Sequence, residues 1–226
     1  ALRPIAPAAG AFSETLYWRH RWFSAWAHAQ APDLALEIGA GLSTRGIAYA
    51  QAHPRMRWID YDLPDMVAAK RARLAGHALP DNYQLEVGDL LADGFGEKLA
   101  STPDTRAIAM TEGVTDYLNH AEKRRAWTAI ASLLSRLGGG RYLLEVHPRD
   151  HIDQFGMAAR LMFDVLRRIS GRDLRNQLCV NADEALAMLE DCGFSRARVL
   201  PDAELDAAAE APAPAQRAFV LIEAQV

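Results

Sequence analysis

The sequence predicts an α/β fold: an open, mostly parallel Rossmann-like sheet of seven strands, with helices on both faces and an N-terminal helical cap. Three observations carry this expectation. Short apolar or alternating runs at residues 34–38, 56–61, 83–87, 106–110, 141–146, 196–200 and 218–224 read as strands, and most are separated by helix-length stretches. The first run enters a Gly-x-Gly turn, Glu37-Ile-Gly39-Ala-Gly41, followed by a helical pattern. Asp62 then closes the second run, 21 residues after Gly41, where a Rossmann-type unit places a carboxylate for ribose hydroxyls.

The glycine turn organises the chain. Residues 34–38 suit a strand buried on both sides. Gly39 and Gly41 allow a sharp turn and a close approach of backbone to a ligand. Ser43 or Thr44 can cap the helix that follows, so its free N–H groups face the turn. A dinucleotide fingerprint wants a third glycine at Thr44, for close packing of helix on strand; Gly46 comes two residues late. A Gly-x-Gly also occurs in ordinary tight turns, so the neighbouring segments decide.

Composition narrows the function. The 226 residues are 50% hydrophobic, ample for a real core. The net charge of −4 and pI near 6.0 supply no basic field for nucleic acid or anionic membrane. No apolar run approaches the roughly 18 residues of a membrane span, and no signal-peptide pattern is visible. Cys179 and Cys192 form no spacing motif, read as buried inert thiols, and suit a reducing, cytoplasmic location. Oligomeric state is not legible.

In chain order, residues 1–11 read as an Ala/Pro-rich arm and residues 13–30 as a helix. Together, 1–30 make the cap and 31–226 the main domain. Trp18, Trp22 and Trp26 share one face of that helix, as an anchor on the core or as an aromatic wall over a ligand mouth. Among Arg19, His20 and Arg21, one arginine can reach inward to a carboxylate. Asp62 also precedes Pro64, so it can cap a helix over 64–74. Asp89, after the third strand, can accept from an adenine amino group with Leu90 against the ring, or simply cap the turn. Residues 92–103 read as a connection with a short helix. Glu112 and Tyr117 follow the fourth strand, at the carboxyl end of the sheet. A helix over 121–137 precedes the fifth strand. A lid is expected in 148–180, with a polar loop at 147–156 and an apolar helix at 157–169. Asn181 and Glu184 form a plausible capping box for a helix to about 192. Residues 203–215 read as a loop.

Four ordered blocks now carry a resemblance: Glu-Ile-Gly-Ala-Gly-Leu-Ser-Thr-Arg, Asp-Tyr-Asp-Leu-Pro followed by Lys70, Gly-Asp-Leu, and Glu-Gly-Val-Thr-Asp-Tyr-Leu. Together they resemble the leucine carboxyl methyltransferase family, S-adenosylmethionine-dependent enzymes of the class I methyltransferase fold. The likeness spans residues 19–146. It implies that Gly39 and Gly41, with Glu37 behind them, pass under the methionine part of the cofactor, and that Asp62 holds the ribose. Asp89 and Leu90 would meet the adenine, and Glu112 the amino-acid end. Tyr117 would border cofactor and substrate. The family's N-terminal helix supplies an arginine for the cofactor carboxylate, for which Arg19 is preferred to Arg21. The chain departs from the family with Ser43 where Asp is frequent and Asp60 where Glu is common. A short N-terminal region and compact C-terminal third leave little material for a substrate cap, which favours a small molecule.

The implied chemistry is an O-methyl transfer to a small-molecule carboxylate or hydroxyl. Positioning supplies most of the acceleration. A hydroxyl acceptor benefits from a base, for which His147 or His151 is placed, whereas a carboxylate needs none. Pro148 argues against a metal between these histidines, and no metal is expected. Two other readings remain. A nicotinamide oxidoreductase would need the third glycine, and a non-catalytic protein binding S-adenosylmethionine or S-adenosylhomocysteine would keep the fold.

Overall fold

The computed structural model describes residues 5–99, 105–154, 174–209 and 218–226, with the backbone alone over 5–15 and at 154, 174 and 208. A seven-stranded sheet runs through it: β1 (Leu34–Ile38), β2 (Arg57–Asp62), β3 (Tyr83–Val87), β4 (Ala107–Thr111), β5 (Gly140–Val146), β6 (Arg196–Val199) and β7 (Val220–Gln225). The order is β3-β2-β1-β4-β5-β7-β6. The first five pair in parallel, and β7 runs antiparallel to both β5 and β6. Strand order reverses beside β1, so the crevice outside its carboxyl end is the expected ligand position.

The connecting helices are α1 (Ile5–Gln30), α2 (Arg45–Ala52), α3 (Pro64–Leu74), α4 (His120–Arg136), α5 (Arg149–Gln154), α6 (Leu174–Gln177), α7 (Ala182–Asp191) and α8 (Asp202–Ala209), with a 3₁₀ turn at Thr115–Tyr117. Because strand side chains alternate, the sheet divides the core in two. One face carries Leu34, Leu36, Ile38 and Leu144 under Trp127, Ile130 and Leu134 of α4 and Met188 and Leu189 of α7. The other carries Ala35, Trp58, Ile108, Met110 and Leu143 under Trp22, Phe23 and Trp26 of α1 and Leu205 of α8. The tryptophans of α1 are therefore an anchor. Trp22 packs edge-on to Phe219, and Trp26 Nε1 donates to Glu223 Oε2 at 2.8 Å.

Several expectations shift. The first helix begins at Ile5 rather than about residue 13, because alanine is the strongest helix former and Pro7 falls in the first turn, where a missing N–H costs nothing. Asp202–Ala209 is helical rather than loop for the same reason: the prolines start only at Pro212. Residues 149–154 form α5 instead of loop. Residues 92–99 are turns, with no helix. The remainder of the 92–103 connection, the 157–169 helix, the middle of the 148–180 lid and residues 210–217 lie outside the described residues. At α2, Ser43 Oγ accepts from Arg45 N at 3.2 Å, and Thr44 occupies the cap position without a side-chain bond. Asn181 accepts from Glu184 N, but Glu184 turns back to Val180 N, so the box is displaced by one residue. The full reciprocal box lies at Asn119 and Glu122, opening α4. Among the described residues, no helix is long and apolar enough to cross a membrane.

Candidate functional site

The carboxyl ends of β1, β2 and β4 gather most of the expected side chains. Gly39 (φ +74°) and Gly41 (φ +52°) both take the left-handed region. At Gly39 a side chain would also strike Val114 Cγ2 at 2.4 Å, because the turn after β4 leans across it. At Gly41 nothing among the described residues lies within 4 Å of an added Cβ, so this glycine faces space that they leave open. Gly46 takes over the packing role of the absent third glycine: a Cβ there would meet the Trp58 ring at 2.3 Å. Helix α2 thus sits close on β2 although Thr44 fills the fingerprint position.

Asp62 braces this turn. Its Oδ2 accepts from Gly41 N at 2.6 Å and its Oδ1 from Leu63 N at 2.8 Å. Each carboxylate oxygen has a second lone pair, so the group can still accept from two ligand hydroxyls. Asp89 Oδ1 accepts from Leu91 N at 2.8 Å and so closes its own turn, while Leu90 is buried beside it. The capping role of Asp89 is present.

Beneath α1 lies an ionic cluster. Arg45, 4% exposed at the start of α2, reaches Glu37 Oε1 at 2.8 Å, Glu112 Oε2 at 2.5 Å, Ser24 Oγ at 3.0 Å and His20 Nδ1 at 2.6 Å. Arg19 Nε reaches Glu112 Oε1 at 3.2 Å, and its Nη1 lies 3.6 Å from Glu145 Oε1. Arg21 turns away, to the carbonyl of Ala209 and to Tyr17. The structure therefore brings Arg19 to the site and not Arg21. Burial pushes the Glu37 carboxyl up to about 7 against the pull of Arg45, and pushes Glu145 up to about 7 against the pull of Arg19. Burial acts on Glu112 as well, but the hydrogen bond from His20 and the charges of Arg45 and Arg19 outweigh it and hold its pKa at about 2. Among the described residues, one oxygen of Glu37 and one of Glu145 are buried without a hydrogen-bond partner. Such atoms are costly unless a ligand completes them.

Sequence reasoning missed Arg45 and Glu145 as site residues. Arg45 carried a signal, since a cation in the first turn of a helix opposes the dipole and needs a buried anion to hold it there. Glu145 carried less: it is one polar residue in the apolar run of β5, 1% exposed. Its backbone partner is Gly113, whose N–H donates to it.

A second grouping stands at the end of β5. His147 Nδ1 lies 2.5 Å from Asp116 Oδ2, which also accepts from His147 N at 3.2 Å. Lys123, buried in α4, places Nζ 3.7 Å from Asp116 Oδ1 and donates to the Gln177 carbonyl at 2.6 Å. Asp116, absent from the sequence expectations, fixes the imidazole. Tyr117, next in the same turn, is exposed at 47%.

The leucine carboxyl methyltransferase family model matches residues 5–131 of the chain, the segment holding α1, the glycine turn, Asp62 and Glu112. Similar solved structures include a candidate O-methyltransferase from Nostoc punctiforme, with TM-score 0.64 and 15% identity, covering 97% of this chain and 58% of that one. Magnesium protoporphyrin IX methyltransferase from Synechocystis, solved with S-adenosylhomocysteine, gives 0.54 and 18%, covering 92% and 83%. Human N-acetylserotonin methyltransferase, solved with S-adenosylmethionine, gives 0.54 and 14%, covering 87% and 48%. At these identities the likeness is one of fold. The chain spans about half the length of the human enzyme and of the Nostoc protein. Among curated proteins, none matches the chain by sequence.

Proposed function

The chain belongs to the leucine carboxyl methyltransferase family, and from that premise we propose an S-adenosylmethionine-dependent O-methyltransferase acting on the hydroxyl of a small molecule. The observation that carries the cofactor reading is the braced turn: two left-handed glycines, one facing space that the described residues leave open, held by a carboxylate at ribose-binding spacing.

The residues fit such a group. A methionyl end brings a carboxylate and an ammonium, and the site offers Arg19 for the first and, among the described residues, the unpartnered oxygens of Glu37 and Glu145 for the second. Asp62 would hold the ribose, Gly39 and Gly41 the methionyl chain, and Leu90 with Asp89 the adenine. Bound S-adenosylmethionine would supply a methyl group activated by its sulfonium. The part left to the protein is alignment and the acceptor's proton. Asp116 accepts Nδ1–H of His147, which sets the tautomer and leaves Nε2 as the proton acceptor. That arrangement suits a hydroxyl acceptor better than a carboxylate, which has no proton to lose. Tyr117 would border the acceptor.

Titration calorimetry with S-adenosylmethionine, S-adenosylhomocysteine and NAD tests the cofactor. Binding of the two sulfur compounds and not NAD is expected, weakened at least about tenfold in Asp62→Ala by loss of charge-assisted hydrogen bonds. NAD binding alone would replace the reading with an oxidoreductase, and the sulfur compounds without turnover would leave a binding protein. For the acceptor, His147→Ala is expected to lower kcat on a hydroxyl substrate by about 10²–10⁴-fold, with Asp116→Asn following it. An undiminished rate would point to a carboxylate acceptor.

A further inference from the structure

Three ligand-type side chains meet away from the cofactor crevice, and no step of the proposed reaction uses them. His120 is the first residue of α4; Cys179 and Glu184 flank the start of α7. One ligand atom from each lies within 4.8 Å of the other two, and His120 Nε2 is 3.5 Å from Glu184 Oε1. The Cys179 side chain is fully buried, whereas His120 and Glu184 are 40% and 37% exposed, so the group has a sulfur floor and a solvent-facing rim.

We propose that His120, Cys179 and Glu184 form a zinc-type metal site that staples the 178–181 loop to the start of α4. A thiol excludes calcium and magnesium, which take oxygen ligands, and a sulfur–imidazole–carboxylate set suits a borderline-soft ion of tetrahedral preference. Three protein ligands leave the fourth position to water. Coordination replaces the Cys179 S–H bond by an S–metal bond, and the proton leaves to solvent. Thiolate and carboxylate together then cancel the charge of a divalent ion. That cancellation matters here, because the N-termini of α4 and α7 and the nearby Lys123 make the surroundings positive.

The backbone explains what a staple would hold. The carbonyl of Cys179 accepts from Arg149 N at 2.9 Å, and that of Val180 accepts from Asp150 N at 3.2 Å, so the loop also anchors the start of α5. Val180 N donates to Glu184 Oε2 at 2.5 Å, leaving Oε1 turned toward His120. Lys123, one turn after His120, donates to Gln177 and lies beside Asp116. A metal at this point would therefore stiffen the wall behind the Asp116–His147 pair without touching substrate.

The test is cobalt(II) titration of the full reduced chain after treatment with a chelator. One equivalent should bind and give a near-ultraviolet sulfur-to-cobalt charge-transfer band, displaced by zinc. Cys179→Ser should abolish the band, and His120→Ala or Glu184→Gln should weaken binding at least about tenfold. Cys192→Ala should leave it intact. Added zinc should raise the Tm of the parent chain and not of the Cys179→Ser chain. No charge-transfer band at stoichiometric cobalt, or one that survives Cys179→Ser, would overturn the proposal. Should the serine variant fail to fold, the half-exposed His120→Ala carries the test. None of these readouts depends on methyl transfer.

Discussion

Two buried ionic clusters lie side by side on the α1 and α2 face of the sheet, and they differ in one respect. Around Asp60 on β2, every acceptor is used: Trp58 Nε1 donates to Oδ1 at 2.8 Å, while Lys70 Nζ and the Tyr83 hydroxyl donate to Oδ2, each at 2.6 Å. One strand over, Glu37, Glu112 and Glu145 face Arg19 and Arg45, and two carboxylate oxygens remain without partners among the described residues. The first cluster is closed, with nothing left to recognise. The second is open, with three acids facing two arginines, and its surplus acceptors suit an incoming ammonium. Buried charge alone does not mark a site; an unfinished hydrogen-bond set does.

The comparison breaks first at Lys70. Lys70→Met strands the Asp60 charge in the core, so a stability loss of about 3–5 kcal/mol is expected from urea denaturation. Affinity of the folded fraction for S-adenosylmethionine should change far less than stability, since Lys70 and Asp60 reach Glu37 only through their charges and make no hydrogen bond to the open cluster among the described residues. Loss of binding with little loss of stability would reverse the assignment of the two clusters.

Glu145→Gln probes the open cluster. The folded pKa of Glu145 is raised from its ordinary 4.5 to about 7. Between those values the native state holds a proton that the unfolded chain has released, so stability falls as pH rises from about 4.5 to 7 and is flat above. Glutamine removes that slope. The variant should match the parent near pH 4.5 and exceed it at pH 8 by an amount on the order of 3 kcal/mol. It should also bind S-adenosylmethionine more weakly, gaining stability where it loses function. Parallel pH–stability curves for the two chains would remove Glu145 from the account.

The sequence showed the closed cluster and the open one unequally. Strand positions, sheet class and the Gly39–Gly41–Asp62 unit were legible because each depends on local chemistry: apolar runs, left-handed turns and a fixed spacing. Asp60 and Lys70 were visible as family-like residues, yet their pairing across β2 and α3 was not. Arg45, Glu145 and Asp116 escaped because their meaning arises only when β1, β4, β5 and α1 meet. Alanine misled twice, at residues 5–12 and 202–209, where composition suggested loop and propensity made helix.

The mildest change sharpens the comparison most. Gly41→Ala places a methyl group at φ +52° with nothing within 4 Å among the described residues, so it should cost only about 1 kcal/mol of left-handed strain. Thermal denaturation should therefore move little. The new methyl would point into the crevice that the open cluster lines, however, and there it displaces ligand rather than protein. Affinity for S-adenosylhomocysteine should fall by more than the stability change alone converts to, about fivefold per kcal/mol. Gly46→Ala is its mirror image: the added Cβ meets Trp58 at 2.3 Å, against the closed cluster, so stability suffers and binding by the folded protein does not. If both substitutions acted alike on both measurements, the crevice would not lie on the Gly41 side of the turn, and the open cluster would be as structural as its neighbour.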